Sequence, residues 1–172
     1  MPRPIIDTLQ SHHSDSWGWA LACCDWDQTL AEDTLQEAYL RVLDGRAHFR
    51  GDSSEKTWFF SVVRRVSAEQ RRAHSKLGRI ATRMFAANST VGAEPSPNTP
   101  MNNLDKDESR QQLLQALQKL SPRQREVLHL VFYCGLTLEE AASTLALSLG
   151  SARTHYHRGK TQLALQLEIE NE

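Results

Sequence analysis

Apolar positions recur at helical spacing in two separate parts of the chain. In the first part, Leu35, Ala38, Tyr39 and Val42 fall on one stripe, and Glu32, Asp33, Gln36 and Glu37 fall on the other side. Gly45 is placed to end that helix. A second helix is predicted over about residues 56–73, with Phe59, Val62, Val63 and Val66 as its apolar stripe. At about 100° per residue, Arg64, Arg65, Arg71 and Arg72 gather on the opposite side, with Trp58 at the edge of that basic face. Between the two helices runs a polar loop, Phe49-Arg50-Gly51-Asp52-Ser53-Ser54. Phe59 reads as core. For Trp58 the pattern leaves two readings open, a core ring or a ring that touches a ligand.

The second part is punctuated by helix caps. Ser121, Pro122 and Gln124 stand at N-cap, N1 and N3 of a predicted helix, a capping box. Val127, Leu128, Leu130 and Val131 supply its apolar side, and Gly135 closes it. Thr137 with Glu140 forms a second capping box on a short helix that ends near Leu145, and Ser148 caps a third helix. A short helix, a tight turn and a further helix form the helix-turn-helix arrangement. On the last helix Leu149, Ala152 and Tyr156 point inward. Ser151, Thr154 and Arg158 point outward, flanked by Arg153 and His155. Small polar and basic side chains suit a reader of the DNA major groove. A plain three-helix bundle is the alternative; the paired capping boxes and the basic third helix favour the DNA reader.

Residues 86–103 separate the two parts. They are rich in Asn, Ser, Thr and Pro and poor in aliphatics, so burial cannot offset their ordering entropy. The expectation is an all-α chain of two small helical domains, residues 1–85 and 109–172, joined by a flexible linker over 86–108. At 172 residues, two such domains each have a thin core.

Charge changes the picture more than composition does. The net charge of −1 argues against a nucleic-acid binder, but the distribution is uneven. Residues 1–45 hold two arginines against eight acidic residues, whereas residues 46–83 hold ten Lys/Arg against three. An acidic block beside a basic one suggests two different partners on adjacent surfaces. Four arginines with almost no intervening acid favour phosphate contacts, because each one made releases counterions.

Three cysteines add little chemistry. Cys23 and Cys24 are adjacent, too close for the usual geometry of a mutual bridge, and Cys134 reads as a small buried hydrophobe. His12, His13, Cys23 and Cys24 match no strong zinc spacing. A surface histidine pair with core cysteines is the preferred reading over a metal-dependent enzyme, and neither metal nor cofactor is expected. No apolar run approaches a membrane span, and the N-terminal residues lack a signal-peptide core, which points to a cytoplasmic protein.

Two segments resemble one family. "AEDTLQEAYLRVLDGRAHFRGDSSEKTWFFSVVRRVSAEQRR" resembles region 2, the promoter-melting domain, of extracytoplasmic-function (ECF) sigma factors of bacterial RNA polymerase. "LSPRQREVLHLVFYCGLTLEEAASTLALSLGSARTHYHRGKTQL" resembles their region 4. The resemblance implies a dissociable initiation subunit without catalytic chemistry, which binds core polymerase through its clamp coiled coil and flap and recognises promoter DNA. An anti-sigma factor is a further candidate partner. Glu32, Asp33, Gln36 and Glu37 match the family's polymerase-binding surface. Phe49, Arg50, Gly51, Asp52, Ser53, Ser54 and Trp58 match the segment that captures an unstacked −10 base. Arg64, Arg65, Arg71 and Arg72 lie on the helix that follows the −10 DNA, and Ser151, Arg153, Thr154, His155 and Arg158 lie on the helix that reads the −35 element. The family often has a longer, more basic first helix than residues 11–30 supply, and His155 stands where Arg or Lys is common. The runner-up is a two-domain helix-turn-helix regulator that does not serve polymerase; the acidic helix and the FRGDSS loop speak against it.

Overall fold

The computed structural model describes residues 5–85 and 104–169, with side chains in 5–76 and 110–167. Its elements are α1 (Ile5–Ser11), α2 (His13–Cys23), α3 (Gln28–Leu43), α4 (Glu55–Phe85), α5 (Leu104–Gln118), α6 (Pro122–Leu128), α7 (Leu138–Leu145) and α8 (Leu149–Ile169). A π turn over His129–Tyr133 continues α6. The all-α expectation holds, and no strand occurs among the described residues. Residues 86–103, expected to be a flexible linker, lie outside the described residues. Helix α5 begins at Leu104, inside the stretch assigned to that linker.

The local signals act where the sequence places them. Gln124 N–H donates to Ser121 Oγ at 3.4 Å, and Gln124 Oε1 accepts from Ser121 N–H at 2.9 Å. Thr137 and Glu140 repeat the reciprocal pair, and Ser148 Oγ accepts from Ser151 N–H at 3.1 Å. Such caps satisfy the otherwise orphaned first-turn donors of a helix. Asp27 caps α3 by accepting from Leu30 N–H, a start the apolar pattern alone left blurred. Helix α4 runs about a dozen residues beyond the predicted end near residue 73. The reason is that no proline interrupts Ala73–Phe85, and Gly78 alone weakens a helix by only about 1 kcal/mol.

The first four helices bury Leu9, Trp19, Ala31, Leu35, Ala38, Phe59, Phe60, Val63 and Val66. The second half buries Val127, Leu128, Leu130, Ala141, Leu145 and Ala152. These are not two separate cores. Val127, Leu130, Cys134, Leu136, Ala141 and Leu145 join the cluster built by α1–α4, and α7 packs on α4. Merging two thin cores raises the apolar area each half removes from water. Gly18 on α2 permits a close approach: a Cβ there would clash with the Tyr133 ring.

Candidate nucleic-acid and polymerase interfaces

The acidic face lies on α3. Leu35 and Ala38 are buried, Tyr39 and Val42 half-buried, and Glu32, Asp33 and Gln36 exposed. Glu37 differs from its neighbours. Its Oε1 accepts from Arg41 Nε at 2.8 Å and from Arg46 Nη1 at 2.9 Å, and Arg41 also reaches Glu69 on α4 at 2.7 Å. The Arg41 hydrogen bond, followed by that from Arg46, holds the Glu37 carboxyl below the usual range. Arg41 therefore straps α3 to α4 with Glu37 holding its guanidinium, which leaves Glu32, Asp33 and Gln36 as the exposed polar face. Leu40 and Leu43 extend it, at 53% and 65% exposure. The sequence reading passed over them, although Leu40 follows Asp33 by seven residues and Gln36 by four, on one helical face.

The loop leads into α4 through Ser54. Its Oγ accepts from Thr57 N–H at 3.1 Å and donates to Thr57 Oγ1 at 2.8 Å, so this hydroxyl caps the helix. Gly51 takes φ +83, a left-handed conformation that costs a glycine little. Arg50 and Asp52 are exposed and Ser53 half-buried. The aromatic trio divides. Phe59 packs on Tyr39 at 4.9 Å and Phe60 on Trp19 at 6.2 Å, both fully buried. Trp58 is half-buried, its ring 5.4 Å from that of Phe49. Trp58 also packs against the core cluster and is only partly covered, unlike Phe59 and Phe60.

The arginines divide as well. Arg64, Arg71 and Arg72, with Lys76, line one groove along α4, while Arg65 lies towards Glu69 and outside that lining. Arg64 Nε sits 3.2 Å from Glu126 Oε1 on α6, and Arg123 holds the other oxygen at 2.9 Å. Arg71 pairs with Asp25 at 3.6 Å, and Asp25 also meets Arg125 of α6 at 3.4 Å. Asp25 and Trp26 both have positive φ, 52 and 67, in the turn between α2 and α3. Such conformations cost roughly 1–3 kcal/mol each in non-glycine residues, less for Asp. Burial raises the Glu126 carboxyl above its ordinary range against the opposing pull of Arg64.

In the second half, α7 ends at Ala146 with φ 53, and a three-residue turn leads into α8. Ala152 is buried and Leu149 and Tyr156 are half-buried, as the inward face requires. Ser151, Arg153, Thr154 and Arg158 are exposed and His155 is half-buried. Thr154 Oγ1 donates to Gly150 O at 2.9 Å, and Arg153 lies 3.8 Å from Glu139. Gly159 lets α8 approach α6, because a Cβ there would meet Gln124 Cβ at 3.1 Å. In the first half, Cys23 and Cys24 are buried and His13 is exposed, its Nδ1 3.2 Å from Tyr39 Oη. No group of metal-ligating residues gathers among the described residues, and no helix among them is long and apolar enough to cross a membrane.

The fold is that of a two-domain all-helical protein with a helix-turn-helix in its second half. Residues 9–77 match the family model for sigma-70 region 2, and residues 110–163 match that for sigma-70 region 4. The chain is 31% identical over 143 residues to the ECF RNA polymerase sigma factor SigX of Bacillus subtilis (strain 168), covering 83% of this chain and 73% of that protein. It is 30% identical over 172 residues to the RNA polymerase sigma factor CarQ of Myxococcus xanthus, covering 97% and 94%. Two solved structures share the fold. They are the sigma factor RpoE in complex with the anti-sigma factor NepR from Bartonella quintana, with TM-score 0.62, 22% identity and coverage of 95% and 98%, and CnrH in complex with the cytosolic domain of CnrY, with TM-score 0.63, 18% identity and coverage of 98% and 90%. The chain belongs to the ECF RNA polymerase sigma factors of the sigma-70 family.

Proposed function

We propose that this protein is a dissociable subunit of RNA polymerase that acts in the cytoplasm, recognises −35 and −10 promoter elements and assists DNA melting. The observation that carries this reading is the pairing, on one chain of this family, of a half-buried Trp58 beside a basic groove with an exposed helix-turn-helix face. Glu32, Asp33 and Gln36 form the core-polymerase contact. Ser151, Arg153, Thr154, His155 and Arg158 contact the −35 duplex, where small polar and basic side chains reach base edges and phosphates. Arg64, Arg71 and Arg72 follow the −10 backbone. The chain supplies binding energy at the right moment and no catalytic chemistry. Unstacking a base costs a few kcal/mol. Stacking on an aromatic returns about 1–3 kcal/mol, and the loop from Phe49 to Ser53 offers hydrogen-bonding groups beside it. A protein inhibitor of the anti-sigma kind is a further partner in this proposal.

Run-off transcription with core polymerase on a genomic promoter library tests the reading. The expected result is start sites that depend on this protein and share upstream elements. Failure to co-purify with core polymerase, with no dependent start site, would overturn it.

A further inference from the structure

His129 lies where the two halves meet, and the proposed function makes no use of it. Its ring sits 5.7 Å from Trp19 of α2 and 4.8 Å from Tyr133 at the other end of the π turn. Trp19 is pinned, because its Nε1 donates to Phe60 O at 2.9 Å. The π turn closes on His129 itself, through Cys134 N–H to His129 O at 3.1 Å. The buried His129 Nε2 has no hydrogen-bond partner. A neutral imidazole tolerates this, with one nitrogen left as a bare acceptor. A protonated ring carries N–H donors at both nitrogens and has no acceptor for the second.

The neighbouring charges are already engaged. On α2, Asp15 is 2.7 Å from Lys56 Nζ of α4, and the same Nζ donates to Cys134 O at 2.7 Å. On α6, Glu126 is held by Arg64 of α4 and by Arg123. The Cys134 thiol is uncharged at neutral pH, pushed up to about 12 by burial. Asp15 favours a charged His129, but burial outweighs it and sets the ring at about 4, against 6.5 for a free histidine.

We propose that His129 is an acid-sensitive latch between the two halves: neutral, its ring packs against Trp19 of the first half, and protonated, it releases the second half from the first. The inference goes beyond the assignment to polymerase. Where that assignment holds, opening also frees Arg64 from Glu126 for the promoter strand. Because the closed form lowers the histidine's proton affinity, its contribution to closure is complete above about pH 6.5. That contribution is lost as pH falls towards 4. Glu126 opposes this, since burial raises its carboxyl and acid removes the cost of that burial. The comparison with a neutral ring at position 129 separates the two.

Thiol labelling of the full chain reads opening without DNA or polymerase. Cys134 is buried in the shared core, and Cys24 is buried within the first half beside Thr34. Labelling at each site is followed by peptide mass spectrometry and normalised to the denatured chain at the same pH. Between pH 7.5 and 5.5, protection of Cys134 should fall about tenfold in the wild type relative to His129→Phe, with Cys24 protection unchanged in both. His129→Gln provides a second neutral side chain should the phenylalanine variant misfold. Equal pH dependence in wild type and a folded neutral variant would overturn the latch. So would a parallel fall at Cys24, which marks global unfolding. Absence of promoter activity would bear on the functional assignment and not on this result.

Discussion

Trp58 and its two aromatic neighbours show how much one residue's surroundings decide. Phe59 and Phe60 are fully buried, whereas Trp58, packed on Phe49, is only half-buried. Stacking on Trp58 becomes available only after a base leaves the duplex. Trp58→Ala should therefore reduce open-complex formation about 5- to 150-fold, the equivalent of 1–3 kcal/mol, and leave closed-complex binding nearly unchanged. Permanganate footprinting beside a filter-binding titration separates the two steps. Ser54 has a different role from the one its place in the loop suggested. Its hydroxyl caps α4, so Ser54→Ala should lower stability by about 1 kcal/mol in urea unfolding. Base preference at −10 should survive that change better than a change at Arg50 or Asp52, whose side chains are exposed.

Among the elements, α3 carries the clearest division of labour. Glu37 is tied to Arg41 and Arg46 and so helps hold α3 against α4. Glu32 and Asp33 are exposed on the far side from the buried Leu35 and Ala38. Glu32→Lys with Asp33→Lys should weaken binding to core polymerase at least tenfold while far-UV circular dichroism stays unchanged, since surface substitutions of this kind shift stability little. A pull-down titration provides the affinity. Glu37→Lys belongs to another class, because it breaks the strap and should lower the melting temperature as well. The exposed Leu40 and Leu43 adjoin the same face, giving it an apolar end beside its acidic one.

At the scale of the molecule, two ion-pair sets and a shared core hold the halves together. Arg64 meets Glu126 through Nε, so domain packing fixes how the rest of its guanidinium is presented to a DNA phosphate. Glu126→Arg sets like charges against Arg64 and Arg123 in a half-buried site and should open the molecule, seen as a larger radius of gyration in small-angle scattering. Adding Arg64→Glu to that variant restores an opposite-charge pair and should return the radius towards the wild-type value. Equal radii for wild type and Glu126→Arg would show that apolar contacts alone keep the halves closed.

The sequence by itself determined the helices, their caps, the charge segregation and the family. Capping boxes such as Ser121–Gln124 and Thr137–Glu140 close over three residues, and the Leu35–Val42 stripe repeats within two turns. Both are short-range regularities that survive whatever the rest of the chain does. The continuation of α4 past residue 73 was legible but passed over: Leu77, Ile80, Ala81 and Met84 recur at helical spacing, and only Gly78 interrupts them. Tertiary structure alone decided that Trp58 is half-buried while Phe60 is sealed, that Arg41 reaches Glu69 on α4, that Arg64 parts from Arg65, and that His129 stands between the halves. These outcomes depend on contacts such as Arg64–Glu126 and Lys56–Cys134, 62 and 78 residues apart in the chain. Helical periodicity sets the face of its own helix on which a side chain lies; which distant surface that face meets is set by how α1–α4 share a core with α6 and α7.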